Sequence, residues 1–262
     1  MSLRLTAEER IGYDRDGFVV RRDVFGPADL DILRAAAEDL VGELQRSATA
    51  TMRSHGSYTF QTDVEQAVTV KWESGKNVIL GIEPFAHLSP IFSDYAADAR
   101  FAEPMKDLTG CESVALYTEK LNMKRAHVGG PIVLHQDWPY WADIADDVER
   151  IVTAMLFLDD SNAENGCLEV SPGSQVNGVQ PTRDAEGYRG EIDAAAFDLT
   201  TLVPVEVPAG SVLMFGPRLV HRSMPNTSGS DRRALLFSYQ PAHFRHCLDF
   251  LRKRHSSLDQ AS

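Results

Sequence analysis

From residue 112 onward the chain is a succession of short apolar runs: SVALYTEKLNM, GPIVLHQD, RIVTAMLFLDD, GCLEVSPGS, GSVLMFG and RRALLFSYQ. Each is rich in β-branched and aliphatic residues, and Gly, Pro, Asn or Asp separates one from the next, which is the pattern of strands joined by turns. The residues before them read differently. Thr6 followed by Glu9 is a capping box opening a first helix, Asp16-Gly17 ends it, and GFVVRRDVF reads as a strand. Leu30, Leu33, Ala37, Leu40, Val41 and Leu44 then recur at helical spacing from Pro27 onward and predict an amphipathic helix packed on a sheet. A polar, weakly patterned region from Gln45 to Asn77 reads as strands and a mobile loop, and a further helix is predicted from about Pro90 to Leu108. Helices first and many short strands afterwards predict a mainly β protein with flanking α-helices. That means an antiparallel sandwich or barrel, not a doubly wound sheet. Neither GxGxxG nor GxxxxGK[ST] occurs to support a nucleotide fold.

A length of 262 residues fits one domain, expected to span 1–262 with a helical part over about 1–110 and a β core over about 111–242. No segment is long and apolar enough to span a bilayer, and MSLRLTAEER lacks an apolar h-region, so a cytoplasmic protein without membrane partners is expected. Cys111, Cys167 and Cys247 are odd in number and widely separated, which argues against a disulfide framework or a zinc ribbon. The net charge of −12, with no Lys/Arg cluster, makes nucleic acid a poor partner. The expected partner is a small-molecule substrate, and the sequence leaves open monomer or homodimer.

The stretch VLHQDWPYW, residues 133–141, begins as a buried strand and then places a histidine, an aspartate and three aromatics where aliphatics should follow. On a strand, i and i+2 share a face, so His135 and Asp137 point together and Gln136 points away. With a second histidine they make the two-histidine, one-carboxylate triad that holds Fe(II) and leaves positions open. His221, after GSVLMFG and GPRLV, is the candidate. A pair of this kind also fits a buried hydrogen-bonded couple. His243 and His246 read as surface or satisfied core residues, and His55, His87, His127 and His255 carry no usable pattern. Arg232 enters the next strand with a guanidinium suited to gripping a carboxylate, and Ser223 lies two residues past His221. A triad with a carboxylate clamp suits a dicarboxylate co-substrate that chelates iron.

These blocks together, from YDRDGFVVRRDVF through LHQD, LFLDDSNAENGCLEVSPGS and GSVLMFG to HRSMPNTSGSDRR, resemble the phytanoyl-CoA dioxygenase-like group of Fe(II)- and 2-oxoglutarate-dependent oxygenases, which includes the ectoine hydroxylases. The resemblance implies a double-stranded β-helix (jelly-roll, cupin-like) core, and Fe(II), 2-oxoglutarate and O2 as cofactor and co-substrates. It implies His135, Asp137 and His221 as catalytic iron ligands, Arg232 as the residue binding the distal carboxylate of 2-oxoglutarate, and Ser223 as its helper. Arg233 should face the opposite side of its strand. The chain reads PGSQ where many relatives read PGSH, a change expected to affect a loop. Asp137 stands where halogenating cousins carry a small residue, which favours hydroxylation. Desaturation or ring formation by the same kind of enzyme, a zinc hydrolase, and a non-catalytic metal-binding sandwich are the alternatives.

Trp138, Tyr140 and Trp141 are expected to wall the substrate pocket, although three aromatics at a strand end also fit plain packing. Thr118, Lys120, Asn122 and Lys124 share one face of the SVALYTEKLNMK strand. Lys120 and Asn122 are the candidates for reaching 2-oxoglutarate, against the alternative of a solvated face. ADIADDVER reads as an exposed helix.

Overall fold

The structure, a computed structural model, describes residues 3–46, 52–55, 58–63, 66–73, 75–182 and 190–246. His255, Cys247 and parts of the weakly patterned region 45–77 lie outside these.

Helix α1 (Ala7–Asp16) starts and stops as its sequence dictates. The Thr6 hydroxyl accepts the Glu9 N–H, the Glu9 carboxylate accepts the Thr6 N–H, and Gly17 ends the helix with φ 84° in the left-handed region. Strand β1 (Phe18–Arg21) follows, then α2 (Pro27–Arg46), whose buried side is Leu30, Leu33, Ala36, Ala37, Leu40, Val41 and Leu44. The weakly patterned region forms a meander of four strands, β2 (Met52–His55), β3 (Tyr58–Asp63), β4 (Val68–Glu73) and β5 (Ile79–Glu83), each antiparallel to the next. The first 110 residues are therefore not only helical, as expected, but supply a large part of the sheet. The single helix predicted over 90–108 is two, α3 (Pro90–Ala96) and α4 (Ala99–Thr109). Asp98 stands between them in extended conformation and accepts the Arg100 N–H, opening α4 afresh.

The predicted strands all form: β6 (Val114–Lys124), β7 (Ile132–His135), β8 (Val152–Phe157), β9 (Leu168–Val170), and, after the short β10 (Val203–Pro204), β11 (Val212–Phe215). β12 (His221–Ser223) and β13 (Arg232–Pro241) complete the set, and a short helix α5 (Trp138–Trp141) follows β7. ADIADDVER is not a helix. Only Val148–Arg150 form a 3-10 turn, capped by Asp147, because Val148 turns inward onto Trp141, Tyr117 and Ile151.

The strands build two antiparallel sheets, one in the order β1-β11-β8-β13-β6-β5-β4-β3-β2, the other β10-β9-β12-β7. They face each other, since Met155, Phe157, Leu213, Phe215 and Ala234 of the large sheet share a core with Leu168 and Val170 of the small one. This is the jelly-roll layout that the resemblance implies. The helices cover the large sheet's other side, where Leu33, Leu40, Phe101 and Met105 pack on Leu156, Met214, Leu235 and Phe237. β8, buried on both sides, is accordingly apolar at nearly every position. Full burial of each such Leu or Phe stabilises the fold by about 1.5–3 kcal/mol. Among the described residues no helix is long and apolar enough to cross a membrane.

Candidate metal centre and cavity

β7 and β12 are neighbours in the small sheet, and their register sets His221 directly opposite His135, with ring centroids 4.1 Å apart. Both imidazoles are fixed in the same way. The Nδ1 of His135 is 2.7 Å from the Val133 carbonyl and that of His221 is 2.9 Å from the Leu219 carbonyl, each two residues back on the chain. A ring that donates from Nδ1 carries its lone pair on Nε2, so the backbone selects the ligating tautomer. Burial, with His221 close by, holds the His135 imidazole neutral, well below its ordinary pKa.

Asp137 reaches the same place by a different route from the one the sequence predicts. β7 ends at His135, and Asp137 has helical dihedrals (φ −72°, ψ −26°) just before α5. Its Oδ1 nevertheless lies 3.7 Å from His135 Nε2, and the ligand atoms of His135, Asp137 and His221 are all within 4.8 Å of one another. Ligand atoms about 2.0–2.2 Å from one ion sit somewhat closer than that, so a small rotation of side chains completes the set. Two imidazoles and one carboxylate leave coordination positions open, the donor set of non-haem iron(II).

Ser223 Oγ, Arg232 Nε and Arg232 Nη1 are among the buried polar atoms that lack a hydrogen-bond partner among the described residues. Arg232 is only 1% exposed, and burial draws its pKa down to about 10. Lys124, its cross-strand partner on β6, is fully buried and donates to the Met224 carbonyl; burial and the charge of Arg232 pull it to about 6. Buried donors of this kind call for an acceptor, and a carboxylate satisfies them. Arg233 faces away as predicted, held by Asp159 at 2.8 Å and Glu38 at 3.0 Å.

Beside the triad, between the sheets, lies a cavity of ≈ 250 Å³ lined by His135 and Asp137. Its floor is made by successive cross-strand rows. Lys71 of β4, Gly81 of β5 and Asn122 of β6 form one; Glu83 and Lys120, in an ion pair of 2.9 Å, form the next. The face of β6 that carries Thr118, Lys120, Asn122 and Lys124 therefore turns inward, with Thr118, Asn122 and Lys124 buried and Lys120 part-exposed. Thr118 hydrogen-bonds Glu83 at 3.3 Å, while Lys124 is sealed off from the cavity. Tyr140 and Trp141 close one side of the cavity. Trp138 does not: its indole donates to Glu149 at 2.6 Å and lies under Arg218, drawn outward by polar partners. Phe60, Lys71, Gly81 and Glu83 were not singled out from sequence, although the alternation V-T-V-K-W-E carries the signal, with Val68, Val70 and Trp72 in the core and Thr69 and Lys71 on the cavity side. Gln175, the PGSQ departure, donates to the Asp14 and Arg15 carbonyls at the end of α1, a loop role as expected.

A model of the phytanoyl-CoA dioxygenase (PhyH) family matches residues 13–234. The chain belongs to that family. As a PhyH member it is a 2-oxoglutarate-dependent dioxygenase, an oxidoreductase that uses Fe(II), 2-oxoglutarate and O2. It is 26% identical over a 269-residue alignment to an L-proline trans-4-hydroxylase of Streptomyces griseoviridis, covering 90% of this chain and 88% of the relative. It is 24% identical to an ectoine dioxygenase of Bordetella parapertussis, covering 90% and 75%. Among solved structures, EctD from S. alaskensis with bound Fe superposes with TM-score 0.69 over 90% of this chain and 77% of that one, at 24% identity. The carbocyclase SnoK from nogalamycin biosynthesis does so with TM-score 0.66 over 92% and 86%, at 20% identity. The jelly roll is thus a shared fold.

Proposed function

We propose that this PhyH-family enzyme hydroxylates an unactivated C–H bond of a small-molecule metabolite, with 2-oxoglutarate converted to succinate and CO2. In this reading His135, Asp137 and His221 hold Fe(II), and Arg232, helped by Ser223, receives the distal carboxylate of 2-oxoglutarate. The observation that carries it is the convergence of three ligands, two with preselected tautomers, in a protein that also buries an unpartnered guanidinium. A zinc hydrolase would use the triad but gives no role to Arg232 and Ser223.

The chemistry supplied at the triad by bound iron is oxidative decarboxylation of 2-oxoglutarate coupled to oxygenation of the substrate. The chain's own residues do the positioning. The Val133 and Leu219 carbonyls keep the Nε2 atoms of the two histidines available. Arg232 fixes the far end of the co-substrate and so sets which way its chelating end points. In the same reading Asn122, in the row between Arg232 and the Glu83–Lys120 pair, touches the co-substrate; its register one row from Arg232 supports this, and Lys120 lies a row further on. Tyr140 and Trp141 keep water from that side of the cavity. The cavity lies just below the usual size of small-ligand pockets. That size, in an acidic chain, favours a compact metabolite such as an amino-acid derivative over an acyl-CoA. The L-proline and ectoine relatives point the same way.

The test is to add Fe(II), ascorbate and 2-oxoglutarate and to measure oxygen uptake and succinate. Uptake matched by succinate supports the proposal. Tight zinc binding without any affinity for 2-oxoglutarate overturns it. Product analysis once a substrate is found separates hydroxylation from desaturation and ring formation.

A further inference from the structure

We propose that Gln136 is a positioning residue for the metal centre: its carboxamide, turned away from the cavity, fixes the chain on which Asp137 stands and so sets how close that carboxylate comes to the two imidazoles. The inference rests on the reading of His135, Asp137 and His221 as iron ligands and adds a residue that acts through one of them.

The three residues differ in what holds them. The rings of His135 and His221 are each fixed by a carbonyl two residues back on their own chain. Asp137 has left the strand, stands at the cap position of α5 and makes no capping hydrogen bond there. Its carboxylate is therefore placed by the backbone on either side of it. Gln136, before it, is 0% exposed. Its Nε2 donates to the Arg218 carbonyl and, at 3.0 Å, to the Gly178 carbonyl, while its Oε1 accepts the Gln180 N–H at 2.8 Å. Trp138, after it, donates its backbone N–H to the Pro217 carbonyl at 3.0 Å. Since the Leu219 carbonyl is the one that faces His221 Nδ1, the consecutive carbonyls of Pro217, Arg218 and Leu219 all serve the centre. Two tie down the Asp137 turn and the third orients a histidine, so the carboxylate and the His221 imidazole are gauged from the same short piece of chain.

The tip of glutamine carries donors and an acceptor together, and here they meet two carbonyls and one N–H. Glutamate would set oxygen against oxygen. Methionine would fill the space but leave those backbone groups unpaired inside the protein, a cost relieved only by a shift of the chain toward other partners. Such a shift falls on Asp137, next in sequence, more than on His135, which the β7–β12 ladder holds opposite His221.

The experiment uses the full chain with Co(II) as probe, which binds such donor sets more tightly than Mn(II) and so stays measurable after loss of a ligand. Affinity is measured for the parent, Gln136→Met, Asp137→Ala and the double variant, and thermal unfolding without metal checks that each is folded. Gln136→Met should weaken Co(II) binding about tenfold. In the Asp137→Ala background the same substitution should change it by less than about twofold, because a residue that acts through the carboxylate has nothing left to act on. Should Gln136→Met not fold, Gln136→Asn, which keeps the amide and shortens its reach, replaces it with the same two expectations. Parental Co(II) affinity in a folded Gln136 variant overturns the inference. So does an equal loss with and without Asp137, the signature of a purely structural role. A parent protein that binds no Co(II) overturns the iron-site reading itself, and this inference with it.

Discussion

Replacing Arg232 with methionine should move stability and co-substrate affinity in opposite directions. The guanidinium is 1% exposed, and its Nε and Nη1 have no hydrogen-bond partner among the described residues. Each unsatisfied buried donor costs about 1–3 kcal/mol, and exchanging buried ionic groups for apolar ones of similar volume is often stabilising by 1–4 kcal/mol. Arg232→Met in the protein without co-substrate should therefore be about 2 kcal/mol more stable. For a chain of this size that raises the melting temperature by roughly 4–8 °C. With 2-oxoglutarate the sign reverses, because truncating one member of a buried charge pair costs about 2–5 kcal/mol, a loss of affinity between about thirtyfold and a few thousandfold. Differential scanning calorimetry without co-substrate and calorimetric titration with 2-oxoglutarate on the Mn(II) form read the two effects, and metal affinity should stay within a few-fold. Unchanged 2-oxoglutarate affinity would remove Arg232 from the co-substrate site. A lower melting temperature would make its guanidinium a structural anchor.

Asp137→Ala should weaken Fe(II) binding at least tenfold and abolish succinate formation, while leaving the histidine pair in place; turnover at the parental rate would take Asp137 out of the metal site. Gly81→Val should narrow the cavity without disturbing the strand: an added Cβ already comes within 3.4 Å of Asn122 Oδ1. Its KM for substrate or 2-oxoglutarate should rise severalfold at nearly constant melting temperature, and unchanged kinetics would show that nothing binds over that floor. Burial lifts the Glu119 carboxyl from 4.5 to about 7, against the opposing N–H groups of Ala86 and Phe85. The folded state then holds this proton more tightly than the unfolded one, so stability falls as pH rises from about 4.5 to about 7, by up to roughly 3 kcal/mol. Glu119→Gln, neutral at every pH, should lose that slope in urea unfolding near pH 5 and pH 8, and an undiminished slope would refute the assignment.

Much of this was legible before any coordinates. The capping box of α1, the apolar stripe of α2 and the strands from β6 onward follow from local periodicity, because each faces a core that demands apolar residues on one side. The three proposed ligands and Arg232 were legible as residue types at telling spacings. What escaped was set by position along the fold. The region of β4 is weakly patterned because Thr69 and Lys71 face the cavity, opposite Val68, Val70 and Trp72 in the core, so the apolar run that marks a doubly buried strand is missing. Alternation alone puts Asp137 on the strand, which in fact ends at His135. Pro139, at the start of α5, carried the opposite message, since proline favours the first turn of a helix. Trp138 reads like its aromatic neighbours, and only the tertiary placement of Glu149 and Arg218 draws it away.

The two histidines face one another across a single ladder, each clamped by its own backbone, whereas Asp137 stands on the threshold of the turn that bears Tyr140 and Trp141. The centre thus draws its imidazoles from the sheet and its carboxylate from the chain that leads directly into the aromatic wall, so a substitution that shifts that short helix reaches Asp137 before it reaches either histidine.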